Sequence, residues 1–226
     1  MWVYLVEVIV FALGYYILCM ERNREKARYK VVLQPVNLLA VSLIATGMCF
    51  FVNFQLPIVN NVLPDNIVQQ YSNMIDQAGY GVELIPTIIC LLLAPLAEEF
   101  LFRGIMFYYL VKIFEIGFSK RKAFWIANTI QAFLFGLFHL NPIQGGYAFL
   151  VGLVLGFLVH QYESIIPAII THMINNFLSA FVWRVLVEAL PQNSGTYTIG
   201  TGFSLCLIVL GMMLCIVNSE NWIKII

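Results

Sequence analysis

The 226-residue chain is 61% hydrophobic and 15% aromatic, with only 11% of residues charged. Soluble domains run near 45–50% apolar and about 25% charged, so this composition, with a mean hydropathy of +0.87, excludes a soluble enzyme, a nucleic-acid binder and a disordered chain. Twelve basic residues balance twelve acidic ones, so net charge points to no polyanionic partner and the lipid bilayer is the expected surrounding.

The first apolar run, roughly 2–20, begins Met1-Trp2-Val3-Tyr4 and carries Glu7. It lacks a basic start and a small-residue cleavage site, and is expected to be a retained span rather than a removable signal. With about 20 apolar residues needed per crossing, further spans are expected at roughly 31–55, 83–113, 123–140, 145–162, 164–188 and 198–218. The predicted fold is therefore all-α: a polytopic membrane bundle of about seven helices, one domain over 1–226, with no internal repeat. Pro86 and Pro95 fall in the third run, which is expected to tilt, kink or split. The connection 56–82 is polar, and the segment 114–128 has room for an interfacial stretch. Cys19, Cys49, Cys90, Cys206 and Cys215 all lie in apolar runs without a ligand pattern, and are read as free thiols.

Arg22, Arg24, Lys26, Arg28 and Lys30 fill the first loop, Lys112, Lys120, Arg121 and Lys122 the loop after the third span, and Lys224 the tail. Seven spans put all ten on one side, whereas the opposite loops hold no Lys or Arg, with Arg184 near an outer helix end. The positive-inside rule then places the N-terminus outside and the C-terminus in the cytoplasm of a cell that carries this protein in its plasma membrane.

Ionisable residues inside spans cost at least roughly 2.5–3.5 kcal/mol at the bilayer centre and so need partners or a wet cavity. Three groups have helical spacing. In Glu98-Glu99-Phe100-Leu101-Phe102-Arg103, Glu99 and Arg103 are four apart and share a face, which suits an ion pair. Glu98 points elsewhere and is left without a local partner, the state in which a carboxylate serves as general base or acid. Upstream, Pro95 removes the helical donor to the Leu91 carbonyl. Phe135 and His139 are likewise four apart, with Gly136 allowing close approach, and His172 and Asn176 make a polar stripe with Asn175. Each group alone has a plain structural explanation: a buried salt bridge, a core histidine, interhelical hydrogen bonds. Together, carboxylates, imidazoles and an amide from three spans are most cheaply satisfied around one cavity. That assembly suits hydrolysis, with Glu98 taking a proton from water, His139 and His172 positioning it, and Asn176 offering an oxyanion donor. On straight helices of about 1.5 Å per residue, Glu98 and His172 lie toward the cytoplasm and His139 toward the outer face, so convergence requires a later start of the fourth span or tilted helices. His160, Glu163 and Glu7 are read as interfacial or structural.

The compound pattern Glu98-Glu99-x-x-x-Arg103, Phe135-x-x-x-His139 and His172-x-x-x-Asn176 resembles the CPBP family of intramembrane proteases, which groups type II CAAX prenyl endopeptidases with bacteriocin-processing and immunity proteins of the Abi group. The likeness covers a core of about 83–180. It implies an intramembrane endopeptidase in which Glu98 activates water, Glu99 and Arg103 are its electrostatic neighbours, His139 and His172 hold water or metal, and Asn176 partners the oxyanion. The family has been described both as metalloproteases and as metal-independent glutamate proteases. Glu98, His139 and His172 would be the zinc or other divalent metal ligands of the first kind. No HExxH occurs, and with Glu98 as a ligand another group would have to act as base, so the reading favours the metal-independent route and assigns no certain cofactor. The expected partner is a membrane-associated peptide or protein cut near the cytoplasmic leaflet, such as a leader peptide, bacteriocin, pheromone or membrane-protein tail. Two other classes compete: a non-catalytic immunity or scaffold protein binding a peptide toxin or sensor kinase, and a proton-coupled transporter, for which pseudo-symmetry is expected and not found.

Overall fold

A computed structural model describes residues 2–19, 30–79 and 81–218. Helices account for nearly all of it, and no strand occurs among the described residues. They are α1 (Trp2–Leu18), α2 (Pro35–Val62), α3 (Asp65–Gln77), α4 (Leu84–Glu115), α5 (Lys120–Phe138), α6 (Pro142–Tyr162), α7 (Ile166–Ala189) and α8 (Ser194–Asn218).

Seven of these fall on the seven expected runs, but they are not equal. Five, namely α2, α4, α6, α7 and α8, are long and apolar enough to cross a bilayer, whereas α1 is a shorter apolar helix of 17 residues. The α5 helix begins Lys120-Arg121-Lys122 and carries Asn128, Thr129 and Gln131 within its length, which lowers its hydropathy. The protein is a multi-pass membrane protein, with five spans clear by length and composition. Four cations of the first loop (Arg22, Arg24, Lys26, Arg28) and Lys224 of the tail lie outside the described residues.

Two expected boundaries move. The second span does not stop near 55: α2 runs on to Val62 through Pro57. The polar connection then folds into α3, whose half-buried face of Ile67, Val68, Tyr71, Met74 and Ile75 has helical spacing. Tyr71 and Tyr147 of α6 share a hydrogen bond of 2.8 Å between their hydroxyls, and burial pushes the Tyr71 phenol above its ordinary range while that bond opposes the shift.

The largest buried cluster joins α2 (Ala40, Ile44, Met48), α6 (Val151, Leu155, Leu158, Tyr162) and Cys215 of α8. Lipid offers no hydrophobic drive between helices, so close backbone approach at small residues does the work. Antiparallel α2 and α8 meet at Gly47 and Gly211, where an added Cβ would come within 2.8 Å of the Ser204 and Ala40 carbonyls respectively. One buried polar tie closes the cluster: Tyr162 donates to Asn37 Oδ1 at 2.9 Å, and Asn37 Nδ2 donates to the Val31 carbonyl at 2.8 Å. None of the five cysteines forms a disulfide among the described residues. His160 stacks on Phe124 with ring centroids 4.1 Å apart, an aromatic packing role.

Gly211→Leu forces α8 off α2 and is expected to cost about 1–3 kcal/mol by overpacking, read as a lower thermal unfolding midpoint of the detergent-solubilised protein. A Gly202→Leu control, where an added Cβ meets nothing within 4 Å, is expected to leave the midpoint in place.

Candidate functional site

The third span neither splits nor breaks at its prolines. It stays one helix and absorbs Pro86 and Pro95 by widening into π turns at Ile89–Leu93 and Glu99–Met106. A third wide stretch, Leu178–Val182, follows His172 and Asn176 on α7. Single π turns inside α-helices are frequent at functional sites because they change which side chains share a face.

The wide register also corrects the effect of Pro95. The Ala94 N–H bonds to Ile89 O, a spacing of five residues, so the next acceptor, facing a proline without an N–H, is the Cys90 carbonyl rather than that of Leu91. Asn176 of α7 supplies the missing donor, its Nδ2 lying 3.0 Å from Cys90 O. Asn175 donates in turn to Asn176 Oδ1 at 3.3 Å.

Below this brace lies the ion pair. Glu99 is fully buried and Arg103 is 1% exposed, and Arg103 Nη1 donates to Glu99 Oε1 at 3.0 Å, as their spacing predicts. The same oxygen accepts a second bond from His172 Nδ1 of α7 at 2.8 Å, which the sequence did not reveal. The guanidinium carbon also lies 4.1 Å over the centroid of the Phe135 ring, so Arg103 is held by a charge on one side and a π-face on the other.

A carboxylate can only accept, so His172 donates through Nδ1 and turns the Nε2 lone pair outward. Glu98 waits there, with Oε2 3.9 Å from Nε2. The two carboxylates that point apart along the helix thus reach opposite edges of one imidazole, and Glu98 is not without a partner. The gap is too long for a direct hydrogen bond and leaves Glu98 accessible, its side chain 16% exposed where Glu99 is sealed.

His139 caps the C-terminal end of α5 and bonds through Nδ1 to Phe135 O at 2.8 Å. A carbonyl also only accepts, so His139 too presents Nε2. Both imidazoles stand edge-on to the Phe135 ring, His139 with centroids 4.9 Å apart and His172 6.1 Å apart. Of the two routes foreseen for the depth conflict of His139, a later start of the fourth span is not what the structure shows. The α5 helix starts earlier than residue 123, not later, and α4 continues to Glu115. At about 1.5 Å per residue, α4 runs about 26 Å beyond Glu98 and α5 climbs back about 28 Å, which returns His139 to the level of Glu98. Leu140 then takes a left-handed conformation (φ 54°), and Asn141 Oδ1 caps α6 by accepting from the N–H groups of Ile143 and Gln144.

The structure therefore brings Glu98, Glu99, Arg103 and His172 together directly, His139 through Phe135, and Asn176 through the α4 backbone. The sequence reading missed two neighbours on α1: Tyr4 and Glu7 lie within electrostatic reach of Glu98. Tyr15 of the same helix packs its ring 5.7 Å from that of Phe100, against the bare Gly104. The hint was Glu7 itself, an ionisable residue in an apolar run.

Two comparisons give nothing: no curated protein and no solved structure matches the chain. A third is informative. Residues 81–178 match the family model described as type II CAAX prenyl endopeptidase Rce1-like. That match supports the CPBP family for the motif-bearing core. The matched segment holds all six side chains of the cluster, from Glu98 to Asn176, and the model's description names an endopeptidase. As to a metal, no group of three or more His, Cys, Asp and Glu side chains among the described residues is arranged to hold one. His172 and His139 each hold Nδ1 in a hydrogen bond, to Glu99 and to the Phe135 carbonyl, so a metal here would have to take both rings through Nε2, beside Glu98.

Asn176 has two testable capacities. As a brace, Asn176→Leu strands the Cys90 carbonyl, lowering the unfolding midpoint by an amount equivalent to about 1–2 kcal/mol. As an oxyanion donor it would lower kcat by roughly 10²–10³ with the midpoint unchanged. The bond to Cys90 predicts the first outcome, and thermal unfolding beside cleavage kinetics separates them.

Proposed function

We propose that the protein is a metal-independent intramembrane endopeptidase in which Glu98 is the general base. The observation that carries this reading is the pair of carboxylates on one imidazole. Glu99 is spent on Arg103 and His172, and that leaves Glu98, accessible and 3.9 Å from Nε2, as the acid group with chemistry to do.

A water at this place donates one proton toward Glu98 and the other toward a histidine Nε2, with its oxygen lone pairs turned to the substrate. Glu98 takes a proton as the water oxygen bonds to the scissile carbonyl carbon. The tetrahedral oxyanion then collapses, the C–N bond breaks, and Glu98 returns its proton to the departing amine. The fixed tautomers of His172 and His139 make both rings acceptors, so they orient the water rather than compete for its attack. Arg103 and His172 both bond to Glu99 Oε1 and so hold the second carboxylate out of the proton transfers.

The substrate on this reading is a membrane-associated peptide or protein. His172 lies about 9 Å along α7 from its cytoplasmic end at Ile166, whereas Glu98 stands about 26 Å along α4 from Glu115, so the scissile bond has to reach the interior of the bundle. The N-terminus is outside and the C-terminus cytoplasmic on this reading.

Glu98→Gln removes the base and is expected to lower kcat at least 10²-fold, while His139→Ala causes a smaller loss. The assay is cleavage of a membrane peptide library by purified protein, with substrates identified by the difference in membrane peptidome between wild type and Glu98→Gln. Full cleavage by both variants would end the hydrolase reading. Prolonged dialysis against a chelator is expected to leave the rate unchanged; loss on dialysis with recovery on adding zinc would overturn the metal-independent route.

A further inference from the structure

Two amides sit where a membrane helix can least accommodate them. Asn128 and Gln131 of α5 are both fully buried, and neither takes part in the chemistry described above. Gln131 occupies the turn before Phe135 and lies two turns before His139, on the same face of α5.

Their bonds run to the backbone of α6. Gln131 Nε2 donates to Gly152 O at 3.0 Å, to Asn128 Oδ1 at 2.8 Å and to Asn128 O at 3.1 Å. Asn128 Nδ2 donates to Leu153 O at 3.0 Å. Glycines on α6 make room for this. A Cβ at Gly156 would come 1.9 Å from Asn128 Oδ1, and one at Gly152 would lie 3.0 Å from Ala132 and 3.3 Å from Arg103 Nη2. Gly152 therefore stands between the two, its carbonyl held by Gln131 and the space left by its missing Cβ bordered by the Arg103 guanidinium. Two buried polar atoms on these same side chains, Arg103 Nη2 and Gln131 Oε1, have no hydrogen-bond partner among the described residues. One is a cationic donor and the other an acceptor, and both belong to side chains that meet at Gly152.

We propose that Gln131, braced by Asn128, is a positioning residue for the reaction: it fixes Gly152 against Arg103, and through Arg103 and Glu99 it sets the orientation of the His172 ring. The route is continuous, from the Gln131 amide to Gly152, to Arg103, to Glu99 Oε1 and to His172 Nδ1. Interhelical adhesion alone would not require it, since Ala132 and Gly152 already bring α5 and α6 together through small residues. The catalytic part of the proposal rests on the endopeptidase reading; the geometric part does not.

The test uses the full chain in detergent with ¹⁵N-labelled histidine. The His172 Nδ1–H resonance reports its bond to Glu99 and needs no substrate. Gln131→Met, which keeps volume but removes donor and acceptor, is expected to shift that resonance. It is also expected to lower kcat about ten- to a hundredfold through misplacement of the ring, with KM within about twofold. A lower unfolding midpoint with an unmoved resonance would mean adhesion only and overturn the proposal. Should Gln131→Met fail to fold, Gln131→Glu keeps the shape and places an anion next to Arg103, drawing it from Glu99. The resonance is expected to move there too, and its staying in place overturns the proposal. A shifted resonance in a protein that cleaves nothing supports the positioning route and counts against the endopeptidase reading alone.

Discussion

An ionised carboxylate sealed away from water is among the most expensive groups a membrane protein can contain, and Glu99 is fully buried. Its oxygen Oε1 takes both the Arg103 guanidinium and the His172 imidazole, so this one atom joins α4 to α7 and orients a ring. Removing either partner leaves a buried charge half compensated, which is costlier than never having had the pair. The neighbouring carboxylate, Glu98, owes its accessibility to the same arrangement, because the guanidinium and one ring nitrogen are already occupied.

The backbone is shaped to allow this. Ordinary α-helical turns would carry Pro95 with a break or a strong kink, but α4 widens instead and leaves a single carbonyl, Cys90, for Asn176 to satisfy. The exchange links the strain of the proline to a hydrogen bond from the helix that bears His172. The acid pair and the imidazole are thus located twice, once by their own bonds and once by the main chain around them. A cavity of about 210 Å³ lined by Asn53, Trp183 and Tyr197 among others lies elsewhere in the bundle and touches none of this cluster.

Much of this was readable from residue spacing. The all-helical membrane class, the helical runs and the Glu99–Arg103 pair followed from hydropathy and from four-residue intervals, which are local properties of the chain. What escaped was whatever depended on a change of helical register or on a second helix. The rule of four assigned the Pro95 defect to Leu91, and only the five-residue spacing moves it to Cys90. The bond between His172 and Glu99 joins residues 73 apart, and no pattern within either segment signals it. His139 appeared misplaced in depth because it was placed from the outer helix ends; counted from the loop that joins α4 and α5, Glu98 and His139 stand at nearly the same depth. The connection 56–82 looked like a polar loop because α3 is amphipathic and short, too polar for a span and too regular for a loop.

The composition of α5 has a consequence for how the protein is made. A helix with three cations at its start and two amides in its middle does not partition into lipid by itself, and α5 is not among the five that qualify. Both amides also donate to carbonyls of α6, whose sequence is translated afterwards. Insertion of α5 is therefore expected to gain from α6, the two entering the bilayer as a helical hairpin. Biogenesis and the placing of the Phe135 and His139 side chains then draw on the same few hydrogen bonds.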